Sequence, residues 1–580
     1  MNASKAKTAS LHNEEIARIF EQIADLLEID GANPFRIRAY RNAARMLRSY
    51  RKEMSNLLEE GADLSKLPTI GHDLARKIEE VVNTGRVRLL ETLKQTMPAE
   101  LAELTRVPGL GPKRVKALYE MLAVKSARDL NIAAQAGKLA KLSGFGPKTE
   151  EAVLAHFRRD RSQDERIKID DAKKIADRLI AHLSAIVPKK NITVAGSFRR
   201  RAETVGDLDV LVASATHKKV MDHFANFDEI ETVVAKGKTR ATVRLRSGVQ
   251  VDLRVVKKES YGAALVYFTG SKAHNIALRR RAAARGLKVN EYGVFKGARS
   301  VAGRTESEVY AAVGLPFILP ELREARGEIE AAENRKLPSL IDLEDIRGDL
   351  HMHTRASDGK ETIKDMALAA KRCGYAYIAI TDHTKHVTIA RGLTAKRLEK
   401  QIEKIDRLNE EINGIRILKC SEVDILADGS LDMPDRMLAK LDLAVCAIHF
   451  DFNLPSQKQT ERIIRAMDHP AFSILAHPTC RLIGERDPMR INMERLMDAA
   501  LERGCFLEVN GQPERLDLND VYCRMAKERG LKLALSTDAH MTEQLNLMAL
   551  SVGQARRGWL EKDDVINTRV WRDLKQLLKR

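Results

Sequence analysis

The sequence predicts a multidomain protein in three parts: an all-α front, an α+β middle and a C-terminal (β/α)7-type barrel. Three observations lead to this reading. Apolar residues recur at helical spacing from Asn13 to about Phe157, strand-like alternation takes over from Ile192 to Val256, and beyond residue 345 seven apolar runs alternate with helical patterns. At 580 residues the chain exceeds what one hydrophobic core supports, so several folding units are expected. With 44% hydrophobic and 31% charged residues it reads as globular rather than disordered.

A formal net charge of +18 favours a polyanionic partner, nucleic acid first. The opening MNASKAKTASLHNEE lacks an apolar core of signal-peptide length and no later run reaches the roughly 18 apolar residues of a membrane span, so a cytoplasmic protein with no membrane partner is expected. Six cysteines, Cys373, Cys420, Cys446, Cys480, Cys505 and Cys523, form no C-x-x-C pair and read as reduced, buried core thiols.

In the helical front, PGLGPKR (Pro108 to Arg114) and SGFGPKT (Ser143 to Thr149) each place an apolar-Gly-x-Gly turn before a new helix. Such a turn offers unpaired backbone N–H groups and the positive end of a helix dipole to a phosphate. Both look like helix-hairpin-helix clamps on a DNA backbone, with Gly109, Gly111, Lys113, Gly144, Gly146 and Lys148 as contacts. A third candidate, LPTIGHD, has Thr69 where the first glycine is expected, and a weaker grip is expected of it.

The middle unit holds GSFRRRAETVGDLDVLV, residues 196–212, and the strand VQVDLRVV. Residues two apart on a strand face the same side, so Asp207 and Asp209 project together, and Asp252 on a neighbouring strand can join them as a third metal ligand. Gly196, Ser197, Arg199 and Arg200 supply a close-approaching backbone, a hydroxyl and guanidiniums suited to phosphate oxygens. Between Leu319 and Asp345 a charged, Pro-punctuated stretch shows no apolar period and is read as an interdomain linker.

In the last part the runs IRGDLHMHT, YIAITDHT, RILKCSEVD, LAVCAIHFD, FSILAHP, CFLEVNG and LKLALSTDAH read as parallel strands, six of which place His, Asp or Glu at or just after their C-terminal ends. That rim carries the chemistry of such barrels. The candidate ligands are His351, His353, Asp358, His383, Glu422, His449, His477, Asp538 and His540. Imidazole mixed with carboxylate suits Mn²⁺, Zn²⁺ or Fe²⁺ better than Mg²⁺, and nine ligands suffice for two or three ions.

The motif GSFRRRAETVGDLDVLV, with YFTGSKAHNIALR (Tyr267 to Arg279) and NEYGVF, resembles the nucleotidyltransferase palm and nucleotide-selection segments of family X DNA polymerases, the polymerase beta family. The resemblance implies that Asp207, Asp209 and Asp252 hold catalytic Mg²⁺ or Mn²⁺, and that Ser197, Arg200 and Gly206 bind the triphosphate. It places Tyr267, Phe268 and Gly270 beside the sugar, Asn275 at the base edge and Arg279 in the template minor groove. Lys272 stands where polymerase beta carries an acid. The segment NEEIARIFEQIADLLEIDGANPFRIRAYRNAARML resembles the family's small lyase-type domain, which implies 5′-phosphate contacts by Arg36 and Tyr40 and a Schiff-base role for Lys77. Asp73 replaces a second lysine usual in polymerase beta, so weak lyase activity is expected. The segments GDLHMHTRASDG, TDHT, SEVDI, IHFD, AHP and STDAH resemble, in order, the polymerase-and-histidinol-phosphatase (PHP) family of metal-dependent phosphoesterases.

The expected organisation is a lyase-like helical domain over 1–90, a helix-hairpin-helix subdomain over 91–160, a palm over 161–260, a nucleotide-selection subdomain over 261–318, the linker and a PHP barrel over 346–580. The resemblance implies a monomeric DNA repair polymerase that takes dNTPs and gapped or nicked DNA with a 5′-phosphate, with 3′–5′ exonuclease, 3′-end-processing or abasic-site endonuclease activity in the barrel. Which phosphoester the barrel cuts stays open. An RNA-tailing nucleotidyltransferase, a DNA-binding scaffold with an inert barrel, and a small-molecule phosphatase are the rivals; the clamps and YFTGS oppose the first, the full ligand set the second and the basic context the third.

Overall fold

The computed structural model describes residues 13–50, 52–98, 100–105, 107, 110–142, 144–146, 149–150, 153–154 and 166–579. Two compact units divide at residue 163. Each is built from its own cores.

The first unit is helical. Helices Asn13–Asp30, Pro34–Ser49 and His72–Thr84 bury Ile16, Phe20, Ile23, Tyr40, Leu47 and Ile78 in one cluster. Asn33 caps the second helix by accepting from Phe35 N, and Pro34 fits its first turn because that turn needs no amide donor. A second cluster gathers Leu104, Leu110, Val115, Leu118 and Phe145 around the helix Pro112–Leu122.

The second unit begins with a five-stranded sheet whose spatial order is Ile192–Val194, Asp207–Ala213, Gln250–Val256, Arg240–Leu245, Ile230–Lys236. Helices Ile169–Ser184 and His217–Phe224 pack on it through Leu179, Leu183, Val220 and Phe224. Helices Tyr261–Thr269 and Lys272–Ala283 and a small three-stranded sheet follow. Seven parallel strands then run in strict sequence order, from Gly348–Asp349 through Tyr377–Ile380, Arg416–Asp424, Leu443–Ala447, Phe472–Leu475 and Phe506–Asn510 to Leu533–Ser536. A Met352–Ala539 bridge closes the ring, and Asn567 Nδ2 donates to both Gly348 O and Leu535 O below it. Inward residues Tyr377, Leu418, Val445 and Ile474 form one core with Leu574 of the C-terminal helix Trp571–Leu577, which stoppers the end away from the histidines. Among the described residues no helix is long and apolar enough to cross a membrane.

Two expectations need correction. Residues 319–345, expected as an interdomain linker, are packed into the protein: Leu322, Arg323, Glu328, Ala332 and Ile341 are buried, and three short helices interrupt the stretch. Its charges are paired inside the protein, Arg323 with Glu306 at 2.8 Å and Glu328 with His274 at 2.7 Å, so its lack of apolar period reflects satisfied polar groups rather than exposure. Cys373 is exposed, while the other five cysteines are buried free thiols. The barrel also lends residues to its neighbours. Leu516, from the loop after Phe506–Asn510, belongs to the five-stranded sheet's core, and Trp559 joins Leu278, Val309 and Ile318 in another.

Candidate active sites

In the five-stranded sheet the parallel register sets Asp209 directly opposite Asp252, with Asp207 two residues along on the same face. Asp207 is exposed, Asp209 half-buried and Asp252 buried. Gly196 adopts φ +63°, and a Cβ there would lie 2.9 Å from Asp209 Oδ2, so only glycine lets the backbone pass the carboxylate. Asp252 is held by Thr242 Oγ1 at 2.5 Å, Gln250 Nε2 at 2.8 Å and Arg240 Nη2 at 3.3 Å. Asp209 is pushed up to about 7, first by burial and then by the Asp207 and Asp252 charges. Three carboxylates crowded this way repel one another, and a divalent cation is the charge that fits their all-oxygen set.

Around them, Arg200 donates from Nη1 to Thr269 O at 2.6 Å and from Nε to Glu324 at 3.0 Å. Gly270, with φ +67°, leaves room for that guanidinium: a Cβ would come within 3.3 Å of it. Arg199 cannot serve phosphate as the sequence suggested, because its guanidinium is spent on Glu306 at 2.6 and 2.8 Å and on Thr269 Oγ1 at 2.8 Å. Ser197 is half-buried and Gly206 exposed beside the acidic pair. Tyr267 is exposed and meets Phe268 edge-on at 5.0 Å, while Asn275 Nδ2 donates to Tyr267 O at 2.7 Å and Arg279 lies exposed one turn on. Lys272 is exposed.

In the helical unit Lys77 Nζ sits 2.6 Å from Asp73 Oδ1, and that lysine holds the Asp73 carboxyl below the usual range. Burial raises the Tyr40 phenol, and Lys77 beside it pulls partly back. Arg36 is exposed one helical turn from Tyr40, and its charge reaches both Tyr40 and Asp73. Gly111 caps the helix Pro112–Leu122 with Lys113 exposed in its first turn, and Gly144 takes φ +85° ahead of the exposed Gly146. The Arg114 guanidinium lies 5.7 Å over the Phe145 ring, so the two turns adjoin. Gly109 and Lys148 lie outside the described residues. Thr69 adopts φ +65°, the left-handed backbone that glycine would take without strain, so the third turn forms despite its residue.

The barrel brings all nine expected ligands together at the strands' C-terminal ends. Three overlapping groups place their ligand atoms within 4.8 Å of one another: His353, Asp358, His383 and His540; His351, His353 and Asp538; and His383, Glu422 and His449. Glu422 stands at the centre, its carboxylate 2.7 Å from His383, 3.1 Å from His477 and 3.3 Å from His449. His477 and Asp538 hold φ +29° and +52°, strain that is characteristic of functional strand ends. Glu422 Oε2, His353 Nδ1 and His383 Nδ1 are buried without a well-formed hydrogen bond, and His351 Nε2 faces His353 Nε2 at 3.2 Å. Lone pairs converging with too few protons between them fit metal ions. Burial alone would lower the His351 imidazole, yet Glu508, Asp538 and Glu422 carry it well above its usual range. His353, by contrast, falls to about 4 through burial and the His540 and His383 charges.

Sequence reasoning missed the residues that aim these ligands. Glu508 accepts from His351 Nδ1 at 2.8 Å and from His477 N at 2.6 Å, Asp424 pairs with His449 Nδ1 at 2.9 Å, and Asn510 Nδ2 donates to Asp538 at 3.1 Å. Such partners fix the ring orientation of a ligating histidine. The alternation along Phe506–Asn510 and Arg416–Asp424 was the available signal, since Glu508 and Asn510, like Glu422 and Asp424, are two apart.

Family models for the DNA polymerase beta palm match residues 166–260 and for its thumb 264–324. A helix-hairpin-helix domain model matches 11–87, a SAM-like helix-hairpin-helix tandem 61–120 and 101–159, and the PHP domain 349–512. The chain is 39% identical over 574 residues, 98% of it and all of the relative, to the DNA polymerase/3′–5′ exonuclease PolX of Bacillus subtilis. It is 30% identical over 245 residues, 40% of this chain and 94% of the relative, to a probable phosphatase of Thermoanaerobacter sp. (strain X514). To DNA polymerase lambda of Rattus norvegicus it is 25% identical over 353 residues, 55% of this chain and 57% of that protein.

Proposed function

Because this chain belongs to the family X DNA polymerases that carry a C-terminal PHP domain, we propose that Asp207, Asp209 and Asp252 drive nucleotide addition and that the barrel cluster drives hydrolysis. It is a DNA polymerase with 3′–5′ exonuclease activity. The observation that carries the residue assignment is the sheet register, which sets Asp252 against Asp209 beside the Gly196 turn.

Asp207, Asp209 and Asp252 would hold Mg²⁺ or Mn²⁺, which would supply activation of the primer 3′-hydroxyl and charge neutralisation for the leaving pyrophosphate. The protein's own part is positioning. Thr242 and Gln250 fix the Asp252 oxygens, Ser197, Arg200 and Gly206 take the triphosphate, Tyr267, Phe268 and Gly270 border the sugar, and Asn275 and Arg279 read the base edge and minor groove. In the barrel the nine ligands would hold two or three Mn²⁺, Zn²⁺ or Fe²⁺ ions, which would supply Lewis-acid chemistry for hydrolysis of a phosphate ester. Glu508, Asp424 and Asn510 keep the ligands oriented. Trimming of 3′ ends and cleavage at abasic sites belong to this chemistry.

The substrate is a short gap in duplex DNA. Arg36 and Tyr40 would read its 5′-phosphate while Gly109, Gly111, Lys113, Gly144, Gly146 and Lys148 hold the backbone, so gapped DNA with a 5′-phosphate should bind more tightly than blunt duplex. A one-nucleotide-gapped duplex incubated with and without dNTPs, in Mg²⁺ and then in Mn²⁺, tests both activities. Extension with dNTPs and 3′ trimming without them are expected; no extension in either metal, or equal affinity for gapped and blunt DNA at moderate salt, would refute the reading.

Two further results are expected. Protons compete with metal for Asp209, whose pKa is pushed up to about 7, so the apparent Mg²⁺ affinity of the polymerase should fall about tenfold from pH 8 to pH 6. Metal titrations of nucleotide addition at the two pH values check this; equal midpoints would contradict it. Lys77 should give only weak 5′-deoxyribose-phosphate lyase activity, because a nucleophilic lysine must shed its proton and Asp73 grips this ammonium at 2.6 Å. Borohydride trapping should be faint, absent in Lys77→Ala and stronger in Asp73→Asn; strong trapping by the unmodified protein would contradict the expectation.

A further inference from the structure

The geometry points to Arg557, a residue of the barrel half of the chain, as a positioning residue for nucleotide addition: it fixes Arg200 and keeps the charge around it positive. This rests on the reading of Arg200 as a triphosphate contact. Arg557 ends the helix Met548–Arg557 and is only 8% exposed. Its Nη1 donates to the Arg200 carbonyl and to Glu324 Oε1, both at 2.8 Å, and its Nη2 lies 2.7 Å from Asp520 Oδ2. The same Glu324 oxygen accepts from Arg200 Nε at 3.0 Å, and Asp520 is shared with Arg326 at 2.9 Å. Arg200 is thereby fixed at its carbonyl, at Nε and, through Thr269 O, at Nη1. Held this way, the Arg200 guanidinium lies close enough to the acidic pair for its charge to act on Asp209.

Charge makes the arrangement more than a brace. Arg200, Arg326 and Arg557 set three positive charges against the two of Glu324 and Asp520, leaving one positive charge beside the site of a polyanionic triphosphate. Without Arg557 the cluster would be neutral, and Glu324 would offset Arg200 alone. The polymerase would then bind its incoming nucleotide less tightly while its carboxylates stayed untouched, which separates KM from kcat. Because this guanidinium comes from the barrel half of the chain, the barrel is a working part of the nucleotide site.

The experiment uses full-length Arg557→Gln, Arg557→Lys and, as a control, Arg200→Gln in single-gap filling. For Arg557→Gln the expected result is a KM for dNTP raised about tenfold or more with kcat within about threefold. The KM for pyrophosphate in the reverse reaction should rise by the same factor, while 3′–5′ nuclease rate and gapped-DNA affinity stay unchanged. Arg557→Lys, which keeps the charge, should recover most of the loss. An unchanged KM for dNTP in Arg557→Gln, a fall in kcat alone, or loss of both polymerase and nuclease in the lysine variant would overturn the proposal, the last because it marks a purely structural residue. If Arg200→Gln itself leaves the KM for dNTP unaltered, the triphosphate reading fails; if Arg200→Gln raises it and Arg557→Gln does not, only the role of Arg557 fails.

Discussion

Replacing Asp207 and Asp209 together by alanine is expected to abolish nucleotide addition, by roughly three orders of magnitude or more, while metal-dependent 3′–5′ hydrolysis continues at the unmodified rate. The size follows from the several kcal/mol that bound metal supplies to phosphoryl transfer. The selectivity follows from the fold, since these aspartates lie on the Asp207–Ala213 strand while the three groups of histidines and carboxylates lie in the barrel. The variant should also fold. Asp207 is exposed, and Asp209 is a carboxyl whose folded pKa is raised. Such a group binds its proton more tightly in the folded state, so its contribution to stability falls as pH rises through about 7, and removing it costs nothing above that pH. Melting temperatures above pH 7 should therefore be no lower than those of the unmodified protein. Loss of nuclease activity from a folded Asp207→Ala/Asp209→Ala protein would show that hydrolysis had been assigned to the wrong centre.

The second large effect lies in the barrel. Removing Glu422, His351 or His353 should end hydrolysis and spare gap filling, but the obvious double variant His351→Ala/His353→Ala is poorly suited to the test. Both histidines are fully buried, as is Glu422. Deleting both rings takes the ion-pair partner His351 from Glu508 and removes partners from Glu422 and Asp538, and leaving a buried charge unpaired costs about 3–5 kcal/mol. Asp358 and His540 are about 30% exposed and complete the same cluster, so Asp358→Asn with His540→Asn should remove metal without unfolding the barrel. Hydrolysis by that variant should fall by about a hundredfold or more, and chelator-stripped unmodified protein should regain it with Mn²⁺ more readily than with Mg²⁺. Full nuclease activity in the folded Asp358→Asn/His540→Asn protein would remove the barrel from the reaction.

The sequence revealed what repeats and what is local. Two-residue spacing on a strand gave Asp207 with Asp209, and recurrence of histidine and carboxylate at strand ends gave all nine barrel residues that the structure gathers. It could not show how charges pair over long separations. Arg323, Glu328 and Glu321 looked like linker because the side chains that pair with them, Glu306, His274 and Arg556, lie far off in sequence. Arg199 looked available for phosphate for the same reason. The helix Trp571–Leu577 is too short to announce that it stoppers a barrel, and Leu516 is an ordinary loop leucine until the sheet it covers is known.

Leu516 and Trp559 each complete a hydrophobic core that belongs, by chain order, to the other half of the protein. A protease that nicks the chain near residue 345 would therefore release no functional halves: the pieces would stay clasped, or part and expose apolar surface that each had lent the other. A chain split at that point would yield two pieces that each lack part of an interior.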